Sequence, residues 1–161
     1  MDEALIKRVL PHSIEAEQSV VGSMLMDKEA VLIASELLLP EDFYGKQYGV
    51  MFEAIVELYN EGKPVDMITL QERLREKDVP MEISGVEFIR DLINAVPTSI
   101  HIKHYADIVR EKSILRRIIK VNEEIESTPK KGADPRKQKR RKLKKHLRKV
   151  KDNFLQREIK Y

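Results

Sequence analysis

Residues 100–127, IHIKHYADIVREKSILRRIIKVNEEIES, contain no proline and no glycine. Pro97 interrupts the chain just before this segment, and Thr98 or Ser99 supplies a hydroxyl group that favours the start of a helix. The segment therefore predicts one uninterrupted helix of about seven turns.

This predicted helix carries more apolar side chains than a single stripe along one helix face can hold. Ten of them recur along its length: Ile100, Tyr105, Ile108, Val109, Ile114, Leu115, Ile118, Ile119, Val121 and Ile125. A helix that is apolar on two sides is expected to contact two neighbours, because leaving such a side chain in water forgoes roughly 1.5–3 kcal/mol. Either the body of the same chain covers both sides, or a partner or a second copy covers one. For the helix as a whole we favour association.

The residues before this segment predict a bundle of shorter helices. Ser13 introduces the periodic run IEAEQSVVGSMLM, and Asp27 is placed to cap the run that follows it. A third run, KQYGVMFEAIVELYNEG at residues 46–62, has an aromatic and aliphatic stripe and stops at Gly62, a favourable C-terminal cap.

Two further helix starts have the pattern of a capping box, in which a Ser or Thr is followed three residues later by Glu. They are Thr69 with Glu72 and Ser84 with Glu87, and each precedes an apolar-periodic run. We therefore expect Thr69 and Ser84 to cap the N-termini of two helices.

The segment RKQKRRKLKKHLRKVK, residues 136–151, has eleven Lys or Arg among its sixteen residues. Apolar residues within and just after it recur at spacings of 4, 3 and 4, the rhythm of a helix that packs on another helix. They are Leu143, Leu147, Val150 and Phe154. Because the link from residue 127 is short, we expect this helix to form an antiparallel hairpin with residues 100–127.

The predicted fold class is all-α, a globular helical bundle followed by a long helical hairpin. We expect a flexible N-terminal segment at residues 1–10, the bundle at 11–99 and the first hairpin helix at 100–128. Residues 129–161 then contain a turn and either the basic second hairpin helix or a partly disordered tail, because densely packed like charges oppose helix formation.

Charge is divided unevenly along the chain. Residues 129–161 hold 15 Lys and Arg against 3 Asp and Glu, a net charge of +12, whereas residues 1–128 hold 15 against 24, a net charge of −9. Two interpretations of this basic run are a solvated helix face, which we favour, and a surface that neutralises the phosphates of DNA or RNA. The candidate residues for that contact are Arg140, Arg141, Lys144, Lys145 and Arg148. No aromatic residue interleaves these charges, so stacking on bases is not indicated.

Several kinds of chemistry have no support in the sequence. The chain has no cysteine, which excludes disulfides and thiolate nucleophiles, and no G-x-x-x-x-G-K-[ST] loop to hold the phosphates of ATP. His101 and His104 could begin a metal site, but no second pair of ligands stands out. We therefore predict no catalytic site, no metal and no cofactor in this chain. The apolar runs are too short to cross a membrane and the acidic start is no signal peptide, so we expect a cytoplasmic protein without a membrane partner.

Four stretches of the chain carry a family pattern. They are PHSIEAEQSVVGSMLMD at 11–27, LPEDFYGKQYGVMFEAIVELYNEGKPVDMITLQERL at 39–74, EISGVEFIRDLINAVPTS at 82–99 and HYADIVREKSILRRII at 104–119. In their order and spacing over residues 11–126 the sequence resembles the N-terminal domain of the bacterial replicative DNA helicase, the DnaB type.

The resemblance implies a non-catalytic domain for assembly and docking. Its hairpins would pair between subunits of a dimer or hexameric ring, and it would bind the C-terminal domain of primase. A helicase loader and, through the basic tail, DNA are further partners to consider, whereas ATP and Mg would belong to a separate motor domain. The candidate partner contacts are Glu15, Phe88, Ile118, Ile119 and Ile125. For each isoleucine the alternative is burial within its own hairpin.

One departure from the family supports a different function. The family's second hairpin helix is usually rich in Glu, Asp and Ala, whereas residues 136–161 are strongly cationic. The alternative is a basic-tailed nucleic-acid-binding protein in which the helical body is only a carrier.

Overall fold

The computed structural model describes residues 9–127 and 135–158, and within these ranges the chain is helical with no strand. Most of the predicted N-terminal segment lies outside the described residues, as do residues 128–134 of the turn predicted at 127–135. The helices are α1 (Ile14–Met26), α2 (Lys28–Leu37), α3 (Lys46–Asn60), α4 (Met67–Glu76), α5 (Met81–Ser84), α6 (Val86–Asn94), α7 (Ile102–Ser127) and α8 (Pro135–Glu158). A short 3-10 turn, Pro40–Asp42, lies between α2 and α3. The prediction of an all-α fold, a bundle followed by a helical hairpin, is confirmed.

The chain divides into two compact units. The globular unit is Ser13–Glu111, and the described part of the hairpin unit is residues 9–12, 112–127 and 135–158. In the globular unit α1 packs against α2, α3 and α6, and α4 packs against α3 and α6. The first turns of α7 belong to this unit, because Ile102, Ala106 and Val109 are buried in its core.

The helix ends predicted from Ser13, Asp27 and Gly62 agree with the structure. The Ser13 hydroxyl oxygen accepts a hydrogen bond from the backbone N–H of Ala16, and the Asp27 carboxylate accepts one from the N–H of Glu29. Gly62 follows α3 with a φ of 72°, a left-handed conformation that costs glycine little.

The two predicted capping boxes are wrong. The N-cap of α4 is Asp66, whose carboxylate accepts from the N–H of Thr69 at 2.9 Å, while the Thr69 hydroxyl accepts from the N–H of Asp66 at 3.0 Å. Thr69 therefore lies inside the first turn of α4, where the Asp66 carboxylate caps its backbone N–H. Ser84 ends α5 and donates to the Pro80 carbonyl at 3.1 Å, and Gly85 precedes α6 without a side-chain cap.

A close approach between α1 and α6 depends on Gly22. A Cβ atom at this position would lie 2.5 Å from the Leu92 carbonyl oxygen and 2.7 Å from Cγ2 of Val96. Both distances are far below a normal carbon contact, and one neighbour is backbone, which cannot rotate away. Glycine at this position therefore sets how near the two helices pack.

We expect Gly22→Ala to lower the free energy of unfolding by about 1–3 kcal/mol, because the overpacking cost exceeds the gain in helix propensity. Urea denaturation followed by circular dichroism would measure the change. Ser19→Ala on the same helix is the control, since the Ser19 hydroxyl bonds only its own helix at the Glu15 carbonyl. A Gly22→Ala protein as stable as the parent would contradict the packing argument.

A cluster of ion pairs joins α3 to α4. The Arg73 guanidinium donates to the carboxylates of Glu57 and Glu61, each at 3.1 Å, and the Lys77 ammonium donates to Glu57 at 2.8 Å. Hydrogen bonds from Arg73 lower the pKa of Glu61 to about 2, and the hydrogen bond from Lys77 lowers the pKa of Glu57. These carboxylates therefore prefer the charged form in the folded chain.

The lowered pKa values predict a loss of stability in acid. An acid whose pKa is lower in the folded chain stabilises the fold fully above its ordinary pKa, here 4.5. That contribution disappears as the pH falls from about 4.5 toward 2. We expect Arg73→Met to flatten this decrease in thermal unfolding scans, with Arg75→Met, at an exposed position of the same helix, as the control. An unchanged acid limb in Arg73→Met would exclude the cluster as its cause.

Candidate partner-binding surfaces

The globular unit has an open cavity of about 430 Å³ on its surface. Its walls come from the first turns of α1, from the residue after α6 and from α7. The lining residues are Ser13, Glu15, Ala16, Gln18, Ser19, Ala95, Tyr105 and Ile108. The wall from α1 is mainly polar, whereas the wall from α7 offers a ring and an aliphatic side chain. Such a cavity is suited to a side chain with an apolar stem and a polar end.

Glu15 is the charged group of this cavity. It is exposed in the first turn of α1, where the helix dipole favours a negative charge. Among the residues that the structure describes, none donates a hydrogen bond to its carboxylate. The carboxylate is therefore available to a cationic group from a partner.

Glu17, two residues further on, has a different role that the sequence pattern did not reveal. It is fully buried, and its carboxylate accepts a hydrogen bond from the N–H of Gly45 at 2.9 Å. Since Gly45 is the N-cap of α3, this carboxylate lies at the positive end of that helix. Glu17 thus connects α1 to the N-terminus of α3 through a buried hydrogen bond, while Glu15 is exposed to solvent.

Phe88 does not line the cavity. Its ring lies 6.2 Å from the ring of Tyr48 at an interplanar angle of 21°, a stacked pair. The Tyr48 hydroxyl accepts a hydrogen bond at 2.9 Å from the side-chain amide of Gln18, which does line the cavity. The structure therefore connects Phe88 to the cavity only through two other side chains, and Phe88 itself is half-buried.

The predicted hairpin contacts separate into two stripes on α7. Val121 lines a groove together with residues of α8, and Ile118 and Ile125 share its stripe at spacings of 3 and 4. Ile119 lies on a different side of the helix, about 100° or more around the axis from these three residues. Leu115 is one turn before Ile119, next to that side. The side chain of Leu115 is 45% exposed, and Ile119 is partly exposed.

This division separates the three predicted isoleucines. Ile118 and Ile125 share a stripe with Val121, which lines the groove with α8, and both are half-buried. Ile119 lies beside Leu115, and neither residue lines the groove with α8. The sequence marked Leu115 as apolar but not as a candidate contact, and only the structure shows that its side chain is exposed.

The basic side chains that the structure describes on α8 face solvent. All five predicted contacts, Arg140, Arg141, Lys144, Lys145 and Arg148, are exposed. Lys145 also lines the groove with α7, about 250 Å³ in volume, whose other walls are Val121, Glu124, Lys142, His146 and Lys149.

The apolar stripe of α8 differs in part from the prediction. Leu143 and Val150 are half-buried, but Leu147 is 41% exposed, and His146 lines the groove with α7. The side chain of Phe154 lies outside the described residues.

Two absences hold for the described ranges. No group of three or more His, Cys, Asp or Glu side chains that could hold a metal occurs in them, and the rings of His101 and His104 lie near Tyr105 instead. Nor do these ranges contain a helix with the length and apolar content that crossing a membrane requires.

Comparison with known sequences identifies the family. A family model described as "DnaB-like helicase N terminal domain" matches residues 9–111. The replicative DNA helicase DnaB of Geobacillus stearothermophilus is 42% identical over 120 residues, which are 74% of this chain and 26% of that protein. The replicative DNA helicase DnaC of Bacillus subtilis (strain 168) is 41% identical over 120 residues, with the same coverage. This chain thus spans about a quarter of the length of these curated relatives.

Solved structures have the same fold. The crystal structure of the N-terminal domain of DnaB helicase from Mycobacterium tuberculosis superposes with a TM-score of 0.75 at 31% identity, covering 89% of this chain and 99% of that one. The N-terminal domain of DnaB helicase from Helicobacter pylori, described together with its interactions with primase, gives a TM-score of 0.62 at 20% identity and covers 70% of this chain and 88% of that one. With the family match over residues 9–111 and these relatives, the chain belongs to the DnaB-like helicase N-terminal domain family.

Proposed function

We propose that this chain is the assembly and primase-docking domain of a replicative DNA helicase. Its hairpin holds subunits together in a dimer or hexameric ring, and its globular unit receives the C-terminal domain of primase. ATP hydrolysis and movement along DNA are assigned to the part of the helicase that this chain does not cover. Family membership and the relatives named as replicative helicases support the context.

The observation that carries the assembly role is the partly exposed stripe of Leu115 and Ile119 on α7. Two large aliphatic side chains on one side of a helix are removed from water only if another surface covers them. A second copy of the hairpin offers the same stripe, which suits the self-complementary contact of a two-fold dimer.

We expect Ile119→Asp to weaken self-association about tenfold or more, since that corresponds to only ~1.4 kcal/mol and a carboxylate would be buried at the contact. Light scattering over a dilution series would measure the dissociation constant. Lys120→Gln is the control, because it changes the net charge by the same single unit at the neighbouring exposed position. Circular dichroism would establish that the helices persist. Association equal to that of the parent would exclude Ile119 from the contact.

The docking role rests on the cavity around Glu15. Its carboxylate is exposed, unpaired within the described residues and set beside Tyr105 and Ile108. A Lys or Arg of primase could place its stem against these two side chains and its charge on Glu15. Glu15 therefore contributes to recognition, and Phe88 supports the site through Tyr48 and Gln18.

We expect Glu15→Lys to weaken binding of the primase C-terminal domain by about tenfold, or ~1.4 kcal/mol, because attraction becomes repulsion. Isothermal titration calorimetry would give the affinity. Glu29→Lys is a matched control, since Glu29 is exposed in the first turn of α2 as Glu15 is in that of α1. If both variants lose affinity equally, the effect comes from net charge and the cavity is not the docking site.

A further inference from the structure

The exposed side of α8 concentrates positive charge in a way that assembly and primase docking do not require. We define the cationic face as Arg140, Arg141, Lys144, Lys145 and Arg148, all of which are exposed. At 100° per residue they cover one continuous arc of the helix, and at 1.5 Å per residue they lie within about 12 Å along its axis. None of the five forms an ion pair with an acidic residue in the described ranges 9–127 and 135–158.

These charges oppose the helix that carries them. Arg141 with Lys145 and Lys144 with Arg148 are like charges four residues apart, the spacing at which helix neighbours repel most directly. A multivalent anion along this face would replace repulsion with attraction and strengthen α8. A polyanion would neutralise several of these charges at once, whereas an isolated carboxylate would neutralise only one. The cationic face is therefore better suited to a polyanion.

The groove beside the cationic face extends the positive surface. Lys142, Lys145 and Lys149 line it together with one acidic residue, Glu124. His146 also lines it, and its Nε2 atom is buried with no hydrogen-bond partner among the described residues.

The chemistry of α8 selects among polyanions. The side chains that the structure describes on this helix include no Phe, Tyr or Trp ring on which a base could stack, and His146 is half-buried. One large apolar residue, Leu147, is markedly exposed. A protein partner would need more apolar anchors than this, whereas a phosphate backbone needs only a dense row of Lys and Arg. We propose that the cationic face of α8 binds the phosphate backbone of nucleic acid without reading its sequence.

The test measures binding of the whole chain to a fluorescent 30-nucleotide single strand and to the corresponding duplex at several salt concentrations. One variant carries Arg140→Gln, Arg141→Gln, Lys144→Gln, Lys145→Gln and Arg148→Gln. The matched control carries five exposed substitutions on the globular unit, Lys28→Gln, Lys46→Gln, Arg75→Gln, Arg90→Gln and Lys103→Gln. Both variants change the net charge equally, and glutamine is a good helix former. Circular dichroism and light scattering would establish that folding and association are retained.

For the parent chain we expect the logarithm of the single-strand binding constant to fall linearly with the logarithm of the salt concentration. The α8 variant should reduce that slope by about 3 to 4, at roughly 0.7 for each phosphate that is no longer neutralised, and should bind at least about tenfold more weakly at low salt. The control variant should keep the slope of the parent.

Four results would overturn the proposal. The parent chain could fail to bind either DNA at low salt, or the two variants could lose affinity equally. A peptide nucleic acid of the same sequence, which lacks phosphates, could bind as tightly as the DNA strand. Phosphatidylglycerol vesicles could bind more tightly and displace the DNA, in which case the cationic face would serve a membrane surface instead.

Discussion

One helix, α7, contributes to both compact units of the molecule, and this constraint organises the chain. Its first turns bury Ile102 and Val109 in the globular core, and a stripe that includes Val121 faces α8. The remaining stripe, with Leu115 and Ile119, stays partly exposed. Because an α-helix has about 3.6 residues per turn, a single apolar stripe covers only one side, so the apolar residues of α7 are spread around its axis. This partly exposed apolar surface is what the proposed association would cover.

Charge is distributed so that two kinds of contact can operate separately. The acidic Glu15 belongs to the cavity of the globular unit, whereas the cations concentrate on α8. Added salt does not weaken apolar burial on α7, whereas it would weaken phosphate binding on α8 steeply. If both proposals hold, association through α7 and phosphate binding through α8 should respond differently to salt and should be separable by mutation.

Local signals predicted the helices well where a helix end depends on adjacent residues. Ser13, Asp27 and Gly62 lie at helix ends as the sequence indicated, because each acts on backbone groups within one turn. The same kind of signal failed at Thr69 and Ser84. Asp66, three residues before Thr69, caps α4 in its place. The Ser84 hydroxyl donates to the Pro80 carbonyl of the preceding turn and caps no helix N-terminus. Competing caps within one turn cannot be ranked from residue type alone.

The sequence by itself determined the all-α class, the surplus of apolar residues on α7 and the charge of α8, because these depend on periodicity and composition. Only the tertiary structure decided which of two near neighbours, Glu15 and Glu17, is buried. It also placed Gly22 against the Leu92 carbonyl oxygen. Such outcomes depend on contacts between residues far apart in the chain. A local sequence pattern does not specify the distance between two helices, because that distance is set only when the helices pack.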